Sequence, residues 1–322
     1  MRVLWLAVGL GVIGLAGGAS GQQAPRVDVV FLLDATGSMG DEIDAVKERI
    51  QGMISDIALA EPAPDVRFGV VAYRDREDDY VTRVYPLTRD IDRIVENLGQ
   101  IEADGGGDYP ESLNEGLHVA LDGIEWDAAE GVARLVFLIG DAPPHLDYDD
   151  DFDYRREIDD AERRAIAVHA IGASGLDQEG EKIYREIAAG TGGSFQWLAY
   201  QRSYVDEEGD EITVVVEGRT TTYSSGDSTW TVEGDVGLGR APGVVSRSME
   251  DSVLAEGMVV DGEMAGGETS GPTTTNIDAL VTDVIKAAAE DAGATYGSDS
   301  ETAVQRTSWG KIKSAAAERG QP

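Results

Sequence analysis

The chain has 322 residues, of which 42% are hydrophobic and none is cysteine. This length and hydrophobic content suffice for one α/β domain with a large insertion, or for two small domains, and they argue against wholesale disorder. Without cysteine the chain can form no disulfide and no cysteine-linked lipid anchor. The formal net charge of −35 would repel a phosphate backbone, so we expect no nucleic-acid partner.

The N-terminus has the pattern of a secretory signal peptide. A basic start is followed by an apolar run over residues 3–16 and by small residues ending at Gly21. The alternative is a transmembrane anchor, but the run is shorter than the roughly 18–20 apolar residues that a membrane span requires. We therefore expect residues 1–21 to be removed. The mature chain would start near Gln22, be periplasmic or secreted, and have no membrane span.

Short apolar runs alternate with amphipathic segments over the next part of the chain. The predicted strands are residues 27–33, 66–73, 80–87, 134–139, 165–171 and 194–198. Helical spacing of apolar residues falls between them, beginning with Ile43, Val46 and Ile50 after the first strand. Strands that alternate with helices through short loops predict an α/β fold of the Rossmann-like kind, with a mostly parallel central sheet and helices on both faces. Ligands of such sheets bind beyond the carboxyl ends of the strands.

The alternating pattern stops at about residue 200. The segment that follows is rich in Gly, Ser, Thr, Asp and Glu, and it contains runs typical of short antiparallel strands at 212–216, 220–223 and 229–232. Helical spacing then returns, with Asn276 as a suitable N-cap and Gly293 as a suitable stop. These patterns divide the mature chain into a core domain (22–199), a β-rich and loop-rich insertion (200–275), a C-terminal helix of the same domain (276–296) and a polar tail (297–322).

Two loops that follow predicted strands carry oxygen ligands. Asp34, Thr36 and Ser38 are spaced by two residues, so a turn can direct all three side chains to one point. Asp141 follows the predicted strand at 134–139. Carboxylates and hydroxyls are the ligands that Mg²⁺, Mn²⁺ and Ca²⁺ prefer. These residues also cap helices and turns in many proteins, but their combination with a third, glycine-rich loop favours a cation site.

The pattern Asp34-x-Thr36-x-Ser38 after Phe-Leu-Leu resembles the metal-ion-dependent adhesion site (MIDAS) of von Willebrand factor type A (vWA) domains. The resemblance covers residues 27–198 and resumes in the C-terminal helix. The sequences GGGDYPE and FLIGDAPPH resemble bacterial members and the hemicentin-like branch of the family. The resemblance implies the vWA fold. It also implies that Asp34, Thr36, Ser38 and Asp141 are metal ligands, with Thr36 in the place of the usual serine.

The second loop of the family site supplies a threonine, and here the chain departs from the pattern. No threonine lies between Gly105 and Gly116. Asp108 is the preferred replacement, Glu111 is the next candidate and Ser112 is the third. An extra carboxylate would make the site more negative. It would then bind the cation more tightly and leave the cation less attractive to an anionic ligand.

Two weaker signals lie close to the third loop. His145 follows two prolines and could line the rim of the metal site. The aspartates between residues 147 and 153 could hold a second Ca²⁺. A solvated acidic loop explains them more simply, because the glycine of an EF-hand loop is missing.

The resemblance implies a metal-dependent protein-binding module for adhesion or assembly. An acidic group of a protein partner would complete the coordination of the cation, for which we expect Mg²⁺, with Mn²⁺ or Ca²⁺ as alternatives. We expect no enzymatic activity, because the chain has no G-x-S-x-G motif, no cysteine nucleophile and no HExxH motif. Two other functions stay open. One is an envelope or matrix scaffold with a purely structural metal, and the other is a hydrolase whose metal activates water.

Overall fold

The computed structural model describes residues 26–58, 65–205, 211–226, 228–233, 268–269 and 274–291. The expected signal peptide (1–21), the polar tail (297–322) and residues 234–267 of the expected insertion lie outside the described residues. Within the described ranges, no helix combines the length and the apolar character needed to cross a membrane.

A six-stranded sheet forms the centre of the core domain. Its strands are β1 (Arg26–Asp34), β2 (Asp65–Tyr73), β3 (Thr82–Thr88), β4 (Val132–Gly140), β5 (Ile166–Gly172) and β6 (Phe195–Trp197). The order across the sheet is β3-β2-β1-β4-β5-β6. All neighbouring strands are parallel except β2 and β3. Since β3 is an edge strand, it tolerates Pro86, which cannot donate a backbone hydrogen bond. The predicted mostly parallel sheet is confirmed.

Helices cover both faces of this sheet because its central strands are apolar on both sides. The helices are α1 (Gly40–Ala58), α2 (Ile91–Gly99), α3 (Leu113–Asp122), α4 (Tyr154–Arg163), α5 (Gln178–Gly190) and α6 (Ile277–Asp291). In β1, Val29, Phe31 and Leu33 pack with α1, α2 and α6. The alternate residues Val30 and Leu32 pack with α3, α4 and α5 on the opposite face. This layering confirms the predicted Rossmann-like fold.

A second sheet follows the first along the chain. Its strands are β7 (Ala199–Val205), β8 (Glu211–Glu217), β9 (Thr220–Ser225), β10 (Ser228–Glu233), β11 (Glu268–Thr269) and β12 (Thr274–Thr275). The strands pair antiparallel in the order β10-β9-β8-β7-β11, and β12 also pairs with β7. The sequence did not predict β7, because the polar residues Gln201 and Ser203 interrupt its apolar character. The division of the chain into a core and an insertion stays a prediction.

The last described helix, α6, completes the layer that contains α1. It contacts α1, β1 and β4. Its side chains Ile277, Val281 and Ile285 belong to the same buried apolar cluster as Ile50 of α1. Asn276, predicted as an N-cap, ties the start of α6 to the end of the first sheet. Its side chain accepts a hydrogen bond from the backbone of Ala199 at 2.9 Å and donates one to the carbonyl of Trp197 at 3.1 Å.

Ile285→Ala should show how much α6 contributes to the stability of the core. Ile285 is 1% exposed, and truncating a buried isoleucine costs about 2–5 kcal/mol. Asp283→Ala changes an exposed residue of the same helix and should stay within about 0.5 kcal/mol of wild type. Urea unfolding of the full chain measures both values. Equal stabilities of the two variants would show that α6 is not part of the core.

Candidate metal centre

The carboxyl ends of two neighbouring strands bring Asp34 and Asp141 together. Asp34 is the last residue of β1, and Asp141 directly follows β4, its parallel neighbour. Gly140, which precedes Asp141, has no side chain and so leaves room for Asp34 and for the hydroxyl of Tyr73. A Cβ atom at this position would lie 2.7 Å from the hydroxyl of Tyr73 and 3.0 Å from Cβ of Asp34. A larger residue would therefore displace the buried aspartate.

Two hydroxyls of the first loop connect these aspartates. Oδ1 of Asp34 accepts hydrogen bonds from the backbone N–H of Thr36 at 3.0 Å and from its hydroxyl at 2.6 Å. The hydroxyl of Thr36 lies 3.2 Å from that of Ser38, which donates to Oδ1 of Asp141 at 3.0 Å. Four residues that the family resemblance nominates as ligands therefore lie in one continuous group.

The second loop adds Glu111 to this group. Gly106 has a φ of +74° and lies between Thr36 and Glu111. A Cβ atom on Gly106 would lie 3.2 Å from Cβ of Thr36 and 2.7 Å from Oε1 of Glu111. Glycine suits both this backbone conformation and this narrow space. We call Asp34, Thr36, Ser38, Glu111 and Asp141 the MIDAS-like cluster.

Backbone hydrogen bonds hold Glu111 in place. Its N–H donates to the carbonyl of Pro143 at 3.0 Å, and its carbonyl accepts from the N–H of His145 at 3.1 Å. The second and third loops are thus paired beside the cluster. Glu111 is 2% exposed, and its Oε2 is buried without a hydrogen-bond partner among the described residues. A buried, unpartnered carboxylate oxygen is costly unless a cation or a proton compensates it.

The electrostatics of the cluster also favour a cation. Burial, followed by the negative charges of Asp34 and three further aspartates, raises the pKa of Glu111 to about 9. Burial raises the pKa of Asp34 to about 6, although hydrogen bonds from Thr36 oppose this effect. Glu111 therefore stays protonated at neutral pH without a counter-charge, and Asp34 ionises at a higher pH than an ordinary aspartate. A divalent cation would favour their charged forms.

Asp108, the preferred second-loop ligand from the sequence, belongs to a different group. Nε2 of His145 lies 3.8 Å from Oδ1 of Asp108 and 3.6 Å from Oδ1 of Asp75. Each of the three side chains offers one ligand atom, and these atoms lie within 4.8 Å of one another. We call Asp75, Asp108 and His145 the histidine cluster. Ser112, the third second-loop candidate, donates its hydroxyl to Oδ1 of Asp75 at 2.8 Å.

Sequence reasoning missed Asp75 and placed His145 only at the rim. Asp75 is 4% exposed and lies two residues after the end of β2. The rule that identified Asp34 and Asp141, a carboxylate just beyond a parallel strand, could therefore have found it. His145 is 2% exposed and lies inside the histidine cluster. The two prolines that precede His145 do not indicate in the sequence that its side chain is buried.

The family of the chain follows from a match to a known domain. A model of the von Willebrand factor A domain matches residues 28–199, which span the six-stranded sheet and α1 to α5. This chain belongs to the von Willebrand factor A domain family. Its MIDAS-like cluster lies at the carboxyl ends of the strands of this vWA domain.

Three relatives match parts of this chain. An ariadne-like RING finger protein of Acanthamoeba polyphaga mimivirus is 28% identical over 132 residues, which are 41% of this chain and 12% of that protein. The alpha-protein kinase vwkA of Dictyostelium discoideum is 29% identical over 120 residues, 37% of this chain and 19% of the kinase. The human von Willebrand factor A domain-containing protein 7 is 34% identical over 97 residues, 30% of this chain and 10% of that protein. The match thus spans less than a fifth of each relative.

Solved structures of one mussel protein are similar in part. Proximal thread matrix protein 1 from the mussel byssus aligns at 17% identity and a TM-score of 0.43, covering 53% of this chain and 42% of that chain. A structure of the same protein with a zinc-occupied MIDAS motif aligns at 18% identity and a TM-score of 0.43, covering 54% and 42%.

The donor set of the vWA domain fits a divalent cation. The MIDAS-like cluster offers three carboxylates and two hydroxyls, which suit a hard cation such as Mg²⁺, Mn²⁺ or Ca²⁺. The unpartnered Oε2 of Glu111 is a free ligand atom within this set.

Glu111→Gln should stabilise the metal-free protein at alkaline pH. The folded-state pKa of Glu111, about 9, lies above its ordinary value of 4.5. The stability gained from protonating Glu111 is therefore complete below pH 4.5 and is lost as the pH rises toward 9. In EDTA at pH 8 the variant should melt higher than wild type by about 2 °C or more, roughly 1 kcal/mol for this size. The difference should shrink toward pH 5.

Thermal melts followed by circular dichroism measure this effect. Glu130→Gln, which changes an exposed glutamate, is the matched control and should show no such trend. A Glu111→Gln variant that melts below wild type at pH 8 in EDTA would contradict the buried-charge account.

Proposed function

We propose that this vWA domain binds a protein partner through a divalent cation held by the MIDAS-like cluster. The observation that carries this proposal is the buried Oε2 of Glu111, which has no hydrogen-bond partner among the described residues. Burial, and then the negative charges of neighbouring aspartates, raise the pKa of Glu111 to about 9. A group of buried acids with one unused ligand oxygen is unfavourable alone and becomes favourable around a cation.

The carboxylates and the hydroxyls of the MIDAS-like cluster would have different roles in binding the cation. The buried carboxylates of Asp34, Glu111 and Asp141 would neutralise the cation, and the hydroxyls of Thr36 and Ser38 would orient it. When bound, the cation would act as a Lewis acid that accepts an anionic oxygen of the partner. Because the other four residues are buried and Ser38 is exposed, the partner would approach from the side of the first loop.

Exposed apolar residues on the second and third loops support a protein ligand. Tyr109 is 42% exposed, and Leu146, next to His145, is 56% exposed. Both lie on loops that form the site. Tyrosine is enriched at protein-binding surfaces, and exposed apolar side chains contribute to the patches that mark such surfaces. We propose that the partner supplies a carboxylate to the cation and apolar contacts to these two residues.

Further parts of the proposal follow from the sequence. We propose that the cation is Mg²⁺, that the protein is exported to the periplasm or beyond for adhesion or assembly, and that it is not an enzyme. We also propose that it belongs to the bacterial, hemicentin-like branch of the family.

A structural metal in a scaffold is the alternative function. Glu111 favours it, because an additional buried carboxylate tightens metal binding and reduces the attraction of the cation for an acidic partner. In that case removal of the metal would unfold the domain. A receptor would stay folded without metal and lose only its partner.

Metal should stabilise the wild-type protein by about 3–4 kcal/mol at roughly a hundred- to a thousandfold excess over the dissociation constant. Thr36→Ala should lose most of this gain and Thr36→Ser should keep it, because Oγ1 is the group that the cation needs. Asp34→Ala should lose the gain as well. In EDTA, however, it should melt no lower than wild type, because it relieves charge repulsion. Thermal melts with Mg²⁺, Mn²⁺ or EDTA test these outcomes. A wild type with no metal-dependent shift would remove the basis of the proposal.

Partner capture should depend on the same hydroxyl. Immobilised full-length protein should retain a partner from the envelope fraction of its own cells in Mg²⁺ and release it in EDTA. Thr36→Ser should retain the partner and Thr36→Ala should not. Circular dichroism of the EDTA-treated protein separates the two functions, since a receptor stays folded. Unfolding in EDTA, or equal capture with both variants, would argue against the receptor.

A further inference from the structure

We propose that Asp75, Asp108 and His145 form a second cation site, separate from the MIDAS-like cluster, that takes a transition metal such as Zn²⁺. This site would use an imidazole nitrogen and two carboxylate oxygens, whereas the MIDAS-like cluster offers oxygen alone. The inference does not depend on the proposed protein-binding function.

The spacing of the three ligand atoms suits a tetrahedral metal. Zinc binds histidine nitrogen and carboxylate oxygen at about 2.0–2.2 Å, which places neighbouring ligands about 3.3–3.5 Å apart in a tetrahedron. Nε2 of His145 lies 3.6 Å from Oδ1 of Asp75 and 3.8 Å from Oδ1 of Asp108. Both distances exceed those of a normal hydrogen bond. Nε2 therefore faces both carboxylate oxygens without a direct bond, and all three atoms lie within 4.8 Å of one another. Small shifts of the side chains would convert these separations into metal coordination.

Asp147 and Tyr148 hold the imidazole of His145 in an orientation suited to metal binding. Its Nδ1 lies 2.8 Å from Oδ1 of Asp147, and its ring stacks on Tyr148 with 4.0 Å between ring centroids. A proton on Nδ1 would be donated to Asp147, which leaves the lone pair of Nε2 facing Asp75 and Asp108. A histidine that donates one ring nitrogen to a carboxylate and offers the other to a metal is the common arrangement in metal sites.

Tyr148 competes with the metal for Nε2 but has a second acceptor. Its hydroxyl lies 3.1 Å from Nε2 of His145 and 3.3 Å from Oδ2 of Asp75. When a metal takes the lone pair of Nε2, the hydroxyl can donate to Asp75 and stay satisfied. Oδ1 of Asp75 accepts from Ser112 at 2.8 Å. The Tyr148 hydroxyl lies 3.5 Å from this Oδ1. When that hydroxyl donates to Oδ2 instead, Oδ1 keeps one lone pair for a metal.

The ligand set also decides which metal the site takes. Imidazole favours zinc and other transition metals, whereas Mg²⁺ prefers oxygen ligands and water. Asp108 is exposed over 64% of its side chain, so the site is open to a fourth ligand from solvent. Three protein ligands with a fourth, open position are the arrangement of catalytic zinc sites, whereas structural zinc sites have four protein ligands.

The two sites are tied together by the chain. The N–H of His145 donates to the carbonyl of Glu111 at 3.1 Å, so a ligand of each cluster meets at one backbone hydrogen bond. Substitutions can nevertheless separate them. Among the described residues, the side chain of Asp34 bonds to Thr36 and Tyr73, whereas that of His145 lies beside Asp75, Asp108 and Asp147.

Zinc binding to the full-length chain tests the proposal, measured by equilibrium dialysis and metal analysis. Asp34→Asn removes a central ligand of the MIDAS-like cluster and should leave about one tight equivalent of Zn²⁺. In that background, His145→Gln should weaken the remaining site about tenfold or more. His118→Gln is the matched control, because His118 also lies near a carboxylate, at 3.2 Å from Oε1 of Glu157. It should leave zinc binding unchanged. Equal zinc affinity with and without His145→Gln would overturn the proposal.

Nitrogen NMR of the wild-type chain gives a readout that needs no substitution. The chain has three histidines, so their ring signals can be followed separately. Zinc should move the ¹⁵N chemical shift of Nε2 of His145 into the range of a metal-bound nitrogen. Mg²⁺ should leave this chemical shift unchanged. A zinc titration that fills the protein without moving the signal of His145 would also overturn the proposal.

Discussion

Buried negative charge at the carboxyl ends of β1 and β4 is the constraint on which the site depends. The strands are apolar and covered on both faces, so Asp34 and Asp141 follow them into a region that water reaches poorly. Hydroxyl and backbone N–H groups of the first loop compensate part of this charge by donating hydrogen bonds to the two aspartates. Glu111 adds a further carboxylate, and its Oε2 has no hydrogen-bond partner among the residues that the structure describes. A bound cation would compensate this buried negative charge.

The loops around this charge are held by donors from the neighbouring strand ends. Arg74, which directly follows β2, donates to the carbonyl of Ala35 at 3.0 Å and to that of Glu102 at 2.8 Å. On the other side, the hydroxyl of Tyr109 accepts from the N–H of Asp177 at 2.7 Å, at the start of α5. The ligand-bearing loops are therefore fixed before any metal arrives, which reduces the entropic cost of binding.

The sequence predicted those parts of the site that depend on strand ends and short spacing. Ser38 and Asp141 lie far apart in sequence, yet they meet because parallel strands deliver both to one edge. The choice between Asp108 and Glu111 could not be made in this way. Both lie in an irregular loop whose left-handed glycines set the side-chain directions, and no periodic pattern encodes them. Asp75 went unnoticed because it lies between two arginines and looks like part of a charged surface turn.

The position of α6 has a consequence for how the chain acquires its structure. This helix follows the second sheet in sequence, but it packs on α1 and on the first strand. The part of one sheet face that α6 covers therefore stays exposed while the intervening segment is being made. Contacts between such distant segments slow folding and leave apolar surface uncovered during synthesis. The emerging polypeptide would need protection from aggregation until its final helix is available, and its folding should be governed by the arrival of that helix.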